Sequence, residues 1–246
     1  QIEGIEPYEK LLSQKLVEEC MIAANRCGAR FLTQHQASGP FVGHRGFRKE
    51  RLDEVRKFLE MHVPALAQED PESVAGYRSI MRGLSDTANT LPLRPMVNRL
   101  MTRAELVCEP APHMGMALES YTNCTSPLRK YLDFLVHLQI KAVLHGETAN
   151  LVAAETLEQL SGRLAQSRAA TLEAERWLAS NYLAKLAAAE EDARFEGRVI
   201  HVNSSGFNVR LDDNGLEGFV DLRKDPEKFS YDKWTASLTS TTRRFR

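Results

Sequence analysis

The 246-residue chain predicts an α+β protein, with a helix-rich part over residues 1–193 and a small β unit over residues 194–246. Three observations carry this. Apolar residues recur at helical spacing along most of the first part. Residues 149–193 are rich in Ala, Leu, Glu and Arg and hold no proline. From Phe195 the pattern alternates, apolar then polar, as in strands.

The elements follow in order. Residues 7–33 predict a long helix whose buried stripe is Leu12, Leu16, Cys20, Ala23, Cys27 and Phe31. Glu18 and Glu19 interrupt an apolar stretch, LVEECMIAAN, so at least one carboxylate is expected over a packed surface with a partner. Residues 41–45 (FVGHR) predict a short strand, and residues 48–62 a helix buried through Leu52, Val55, Phe58 and Leu59. Asp70-Pro71 reads as the cap of a helix to residue 82, and residues 85–92 as a loop. Residues 93–103 are weakly helical, residues 104–109 (AELVCE) a strand, and residues 110–121 a loop offering His113 and Tyr121 as polar-tipped candidates. Gly162 marks a break between a short and a long helix, and Glu175 and Arg176 fall midway along the long one. FEGRVIHV, GFNVRL and LEGFVDL are three strands joined by NSS and DDNG turns. The residues after them are not strand-like, and three strands cannot close a barrel, so the β unit reads as unfinished.

Composition narrows the function classes. Hydrophobic residues are 43% and charged residues 26% of the chain, as in ordinary globular proteins, and the net charge is −1. A polyanion site must therefore be local. Cys20, Cys27, Cys108 and Cys124 lack CxxC spacing, which argues against a zinc site or a disulfide scaffold and fits a reducing, cytoplasmic setting. No apolar run reaches the ~20 residues of a membrane span, no signal peptide opens the chain, and no obligate protein partner is evident. The start at Gln1 reads as a cut point.

The stretch TNCTSPLRKYLDFLVH, residues 122–137, concentrates the chemistry. Ser126 reads as an N-cap and Pro127 as a first-turn residue, with Arg129 and Lys130 in that same turn. Cations there oppose the helix dipole, unless an anion is bound by the unpaired backbone N–H groups of that first turn, about Thr125–Ser126–Pro127, together with Arg129. The alternative is an ordinary capped helix with an Arg129–Asp133–His137 ladder.

LVEECMIAAN, followed by PHMGMALESYTNCTSPLRKYLDFLVH, a long helix and a small β unit, resembles ribonuclease II and its relatives, which share the RNB catalytic domain. The resemblance implies the C-terminal half of an RNB domain followed by an incomplete OB-fold β-barrel. It further implies a processive 3′→5′ exoribonuclease that hydrolyses single-stranded RNA to nucleoside 5′-monophosphates with the help of a divalent metal. Arg129 falls where the family arginine meets the scissile phosphate, and Glu18 where a glutamate contacts the 3′-terminal nucleotides. Tyr121, Thr125, Ser126, Lys130 and Glu175 are the further RNA-binding candidates. Phe207 and Phe219 are either stacking platforms or core aromatics, and Arg198, His201 and Arg210 a local phosphate track. The family's aspartate cluster is absent from these residues, so ligands for Mg²⁺ or Mn²⁺ are expected outside the chain, which then reads as a piece of a longer protein. A non-catalytic RNA-binding relative is the alternative, and a helical interaction scaffold a third.

Overall fold

The computed structural model describes residues 4–5, 10–86, 93–147, 152–189 and 194–246. The first turn predicted for the opening helix, most of the loop at 85–92 and both ends of the Ala-rich segment lie outside the described residues. The chain divides into two compact units, residues 10–166 and, in the main, residues 167–246.

In the first unit, α1 (Leu12–Gln34) leads to strand β1 (Phe41–Gly43), then α2 (Leu52–His62), α3 (Val74–Asp86) and α4 (Leu93–Asn98). Strand β2 (Glu105–Val107), α5 (Tyr131–Leu144) and the first part of α6 (Ala154–Ala189) complete it. β1 and β2 pair antiparallel, Phe41 opposite Val107 and Gly43 opposite Glu105. Side chains alternate across a strand. Phe41 accordingly packs with Ala29, Leu32 and Val136, whereas Val42 packs with Tyr121 and Leu132. The ribbon thus locks α1 and α5 to the loop before α5.

Three expectations are corrected here. α1 buries Asn25, Gly28, Ala29 and Leu32, whereas Leu12, 82% exposed, and Leu16 face outward. The reason is close approach: a Cβ on Gly28 would lie 3.2 Å from Cys124 Sγ, so the contact is made by small residues that carry no periodic apolar signal. α3 opens at Val74 with Ser73 as its cap, because Ser73 Oγ accepts the Gly76 N–H at 3.0 Å while Asp70 forms a preceding turn to the Glu72 N–H. α6 runs unbroken through Gly162, an open position flanked by strong helix formers.

In the second unit, β3 (Gly197–Asn203), β4 (Gly206–Leu211) and β5 (Glu217–Asp221) form an antiparallel sheet in that order. The Asn203 side chain accepts the N–H groups of Ser205 and Gly206, closing the first turn. A Cβ on Gly206 would fall 2.0 Å from the Val220 carbonyl oxygen, so only glycine fits there. The following residues, expected to lack strands, form a second sheet of β6 (Ser230–Asp232), β7 (Ser237–Thr239) and β8 (Arg244–Phe245). These strands are two or three residues long, too short for an alternation to register. Val202, Phe207 and Leu238 form the core beneath both sheets, which do not close into a barrel.

Candidate functional site

The first unit carries a groove of about 770 Å³ between the N-terminal half of α1 and residues 116–130. It gathers Glu18, Tyr121, Thr125, Arg129 and Lys130 from the predicted set, although Glu18 and Arg129 lie 111 positions apart in sequence. Asn25 and Asn123 line it as well.

The loop preceding α5 is held from both sides. From α1, Asn25 Oδ1 accepts the Cys124 N–H at 2.8 Å, and Asn25 Nδ2 donates to the Tyr121 hydroxyl at 2.8 Å. From α5, Asp133 Oδ2 accepts the Ser126 N–H at 2.8 Å, and His137 Nε2 donates to the Cys124 carbonyl at 2.7 Å. The Thr122 hydroxyl adds a bond to the Pro40 carbonyl at 2.5 Å. Asn25 is 4% exposed and Asp133 1%, so these are buried polar links of the kind that fix a single loop conformation. Asp133 Oδ1 is buried without a hydrogen-bond partner.

This geometry revises the motif. Ser126 does not cap α5: the Arg129 and Lys130 N–H groups turn back to its carbonyl at 3.2 and 3.0 Å, and α5 begins at Tyr131 with Lys130 at the cap position. Asp133 and His137 bond the loop and do not form a ladder with Arg129. The expected cradle of N–H groups at residues 125–127 is also reduced. Ser126 spends its N–H on Asp133, and Pro127 has none. What the turn presents is side-chain charge. Arg129 and Lys130 are exposed, and among the described residues neither has a side-chain hydrogen bond or an ion pair. Glu18 is exposed as well, and pairs with Lys10; Glu19 is exposed, so neither carboxylate lies over a packed surface.

Tyr121, 8% exposed, packs its ring between Val42 and Leu132 and edge-on to His113. His113 stacks on His44 with ring centroids 5.4 Å apart and does not line the groove. Burial pushes both imidazoles below the usual histidine range, and for His113 the neighbouring His44 adds to the effect.

Glu175 and Phe219 lie in the second unit, where they line a separate groove of about 650 Å³ with Arg176 and Asn208. Phe219 is 48% exposed, whereas Phe207 is a core residue stacked on Phe245 at 4.4 Å and offers no free face for a base. The phosphate track is also spoken for in part. Arg210 pairs with Glu217 at 2.6 Å across β4 and β5, Arg198 pairs with Asp212 at 3.1 Å, and His201 is engaged as well.

Asn25 is the groove residue that motif reading missed. It closes the string LVEECMIAAN, and an Asn inside a helical apolar run is a signal, since such a side chain must find partners when buried. Among the described residues, no group of three or more His, Cys, Asp or Glu side chains is placed to hold a metal ion, and no helix is long and apolar enough to cross a membrane.

Residues 1–146 match the profile of the RNB domain. Exoribonuclease 2 of Escherichia coli is 34% identical over 209 residues, covering 85% of this chain and 32% of the relative. The same figures hold for Exoribonuclease 2 of Shigella dysenteriae. The chain therefore spans about a third of the length of these curated relatives. In fold it is similar to Mycoplasma genitalium RNase R in complex with ribose-methylated single-stranded RNA, at a TM-score of 0.67 and 20% identity over 97% of this chain and 39% of that one. It is also similar to yeast Ssd1, a pseudonuclease, at a TM-score of 0.69 and 19% identity over 94% of this chain and 30% of that one.

Proposed function

The chain belongs to the RNB-domain family, and from that premise we propose that it supplies an RNA-holding part of a 3′→5′ exoribonuclease acting on single-stranded RNA. The observation that carries this reading is the groove that brings Glu18, Tyr121, Thr125, Arg129 and Lys130 together. Arg129 donates to oxygens of the scissile phosphate through its planar fork, and stabilises charge that grows as the bond breaks. Lys130 beside it attracts the RNA backbone as a point charge. Glu18, an acceptor, takes hydroxyl donors of the 3′-terminal ribose and exchanges Lys10 for them. Ser126 acts through the loop, since its N–H is already bound. In the second unit, Glu175 and Phe219 form a further contact for RNA, with Phe219 as the stacking ring.

Among the described residues no group fits a metal site, so in this reading the ligands for Mg²⁺ or Mn²⁺ lie beyond them. The likeness in fold to a pseudonuclease motivates a second reading, in which the protein binds RNA without cleaving it. The test is Arg129→Ala in the full-length gene product. Turnover falls by roughly 10²–10³ while RNA affinity changes far less, as for removal of one donor to a developing anion. Turnover near that of the unsubstituted protein contradicts the role of Arg129. Tight binding with no hydrolysis by the unsubstituted protein favours the second reading.

A further inference from the structure

We propose that Asn25 is a positioning residue that orients the Tyr121 hydroxyl as a hydrogen-bond donor to an RNA oxygen in the groove. The inference rests on the RNA reading above and gives one groove residue a defined polarity.

The direction of each bond follows from obligate donors. The Cys124 backbone N–H can only donate, so the end of the Asn25 amide that faces it at 2.8 Å is the carbonyl oxygen. The other end, 2.8 Å from the Tyr121 hydroxyl, is then the NH₂ group, which can only donate. Tyr121 must accept there, and its own proton has to point elsewhere. Among the described residues no acceptor takes that proton. The Tyr121 ring is clamped by Val42, Leu132 and His113, so the hydroxyl cannot swing away to find one. Tyr121 and Asn25 both line the groove, so the free donor faces the space that a ligand would enter. RNA suits this polarity, because non-bridging phosphate oxygens accept and never donate. One amide thus ties residues 96 and 99 positions away in sequence to α1, and sets the hydrogen-bonding sense of the groove wall.

Two substitutions in the full-length gene product test this, with affinity read by anisotropy of a labelled oligoadenylate in the presence of a chelator. Tyr121→Phe removes the donor and keeps the ring. Asn25→Asp still accepts from Cys124, but an ionised carboxylate also accepts from Tyr121 and turns the hydroxyl proton inward. Each is expected to weaken binding by roughly 3- to 10-fold, the worth of one hydrogen bond, and the double substitution no more than either alone. Relative to the unsubstituted protein at the same pH, Asn25→Asp regains affinity as the pH falls, because the protonated carboxyl donates to Tyr121 again. Tyr121→Phe shows no such recovery. Charge repulsion between the new carboxylate and RNA would give the same recovery in the Tyr121→Phe background, so the recovery is expected to vanish in the double substitution, and one that persists there overturns the inference. Additive losses, unchanged affinity for Tyr121→Phe, or no recovery for Asn25→Asp would each overturn the inference while leaving RNA binding intact. No RNA binding by the unsubstituted protein would instead overturn the RNA reading, and this inference with it.

Discussion

Asp133 is the buried carboxylate on which the loop bearing Arg129 is hung, and replacing it with Ala gives a quantitative test. The substitution removes the acceptor of the Ser126 N–H, a 2.8 Å bond to a charged oxygen, and leaves that N–H without its partner. Hydrogen bonds to charged groups contribute about 1.5–3 kcal/mol. Asp133 also lies in the first turn of α5, where a negative charge adds about 0.3–1 kcal/mol. Against this stands the relief of burying a carboxylate whose Oδ1 has no partner. That offset brings the expected loss to about 1–3 kcal/mol, or roughly 2–12 °C in Tm for a chain of this size. Asp133→Asn keeps an acceptor for Ser126 and is expected to lose less than half as much. Thermal unfolding followed by circular dichroism reads both. An Asp133→Ala protein that melts with the unsubstituted one would refute the view that this bond anchors the loop.

Other outcomes follow from the same geometry. The stacked His44 and His113 are held below their usual range by burial, so the folded state favours them neutral, while the unfolded chain takes up protons below about pH 6.5. Their contribution to stability is present above that value and is lost as pH falls toward the lowered folded values. Tm is therefore expected to drop between about pH 7.5 and 5.5, and to drop less in His113→Phe; equal slopes would contradict this. The 246-residue chain expressed alone with Mg²⁺ or Mn²⁺ is expected to leave RNA intact, because its described residues offer no metal-binding cluster. Robust hydrolysis by a pure sample would place a metal site within this chain.

Much of the site was legible in sequence because its residues sit in two short strings. LVEEC and SPLRK together name the groove's acidic and basic residues, and the period change near Phe195 located the first sheet. What sequence concealed was pairing over distance. Nothing in the string TSPLRK reveals that Ser126 gives its N–H to Asp133, so the helix start was placed four residues early and the N–H cradle overcounted. The buried face of α1 was misplaced because Gly28 and Ala29 make the contact, and small residues leave no hydrophobic stripe. Asn25 was hidden for a related reason: its importance lies in two partners about a hundred positions away. Phe207 and Phe219 sit in adjacent paired strands with equal sequence claims, and only packing separates the core ring from the exposed one.

The most direct test of the central claim, that the groove between α1 and the loop before α5 holds the 3′ end of RNA, is a crosslinking map. Single-stranded RNA carrying one photoreactive 3′-terminal nucleotide would be irradiated on the full-length gene product in the presence of a chelator, and the attached peptides sequenced. Attachment within residues 13–25 and 116–130 is the predicted result. Attachment confined to the sheets of residues 197–245, with none in the groove, would contradict it.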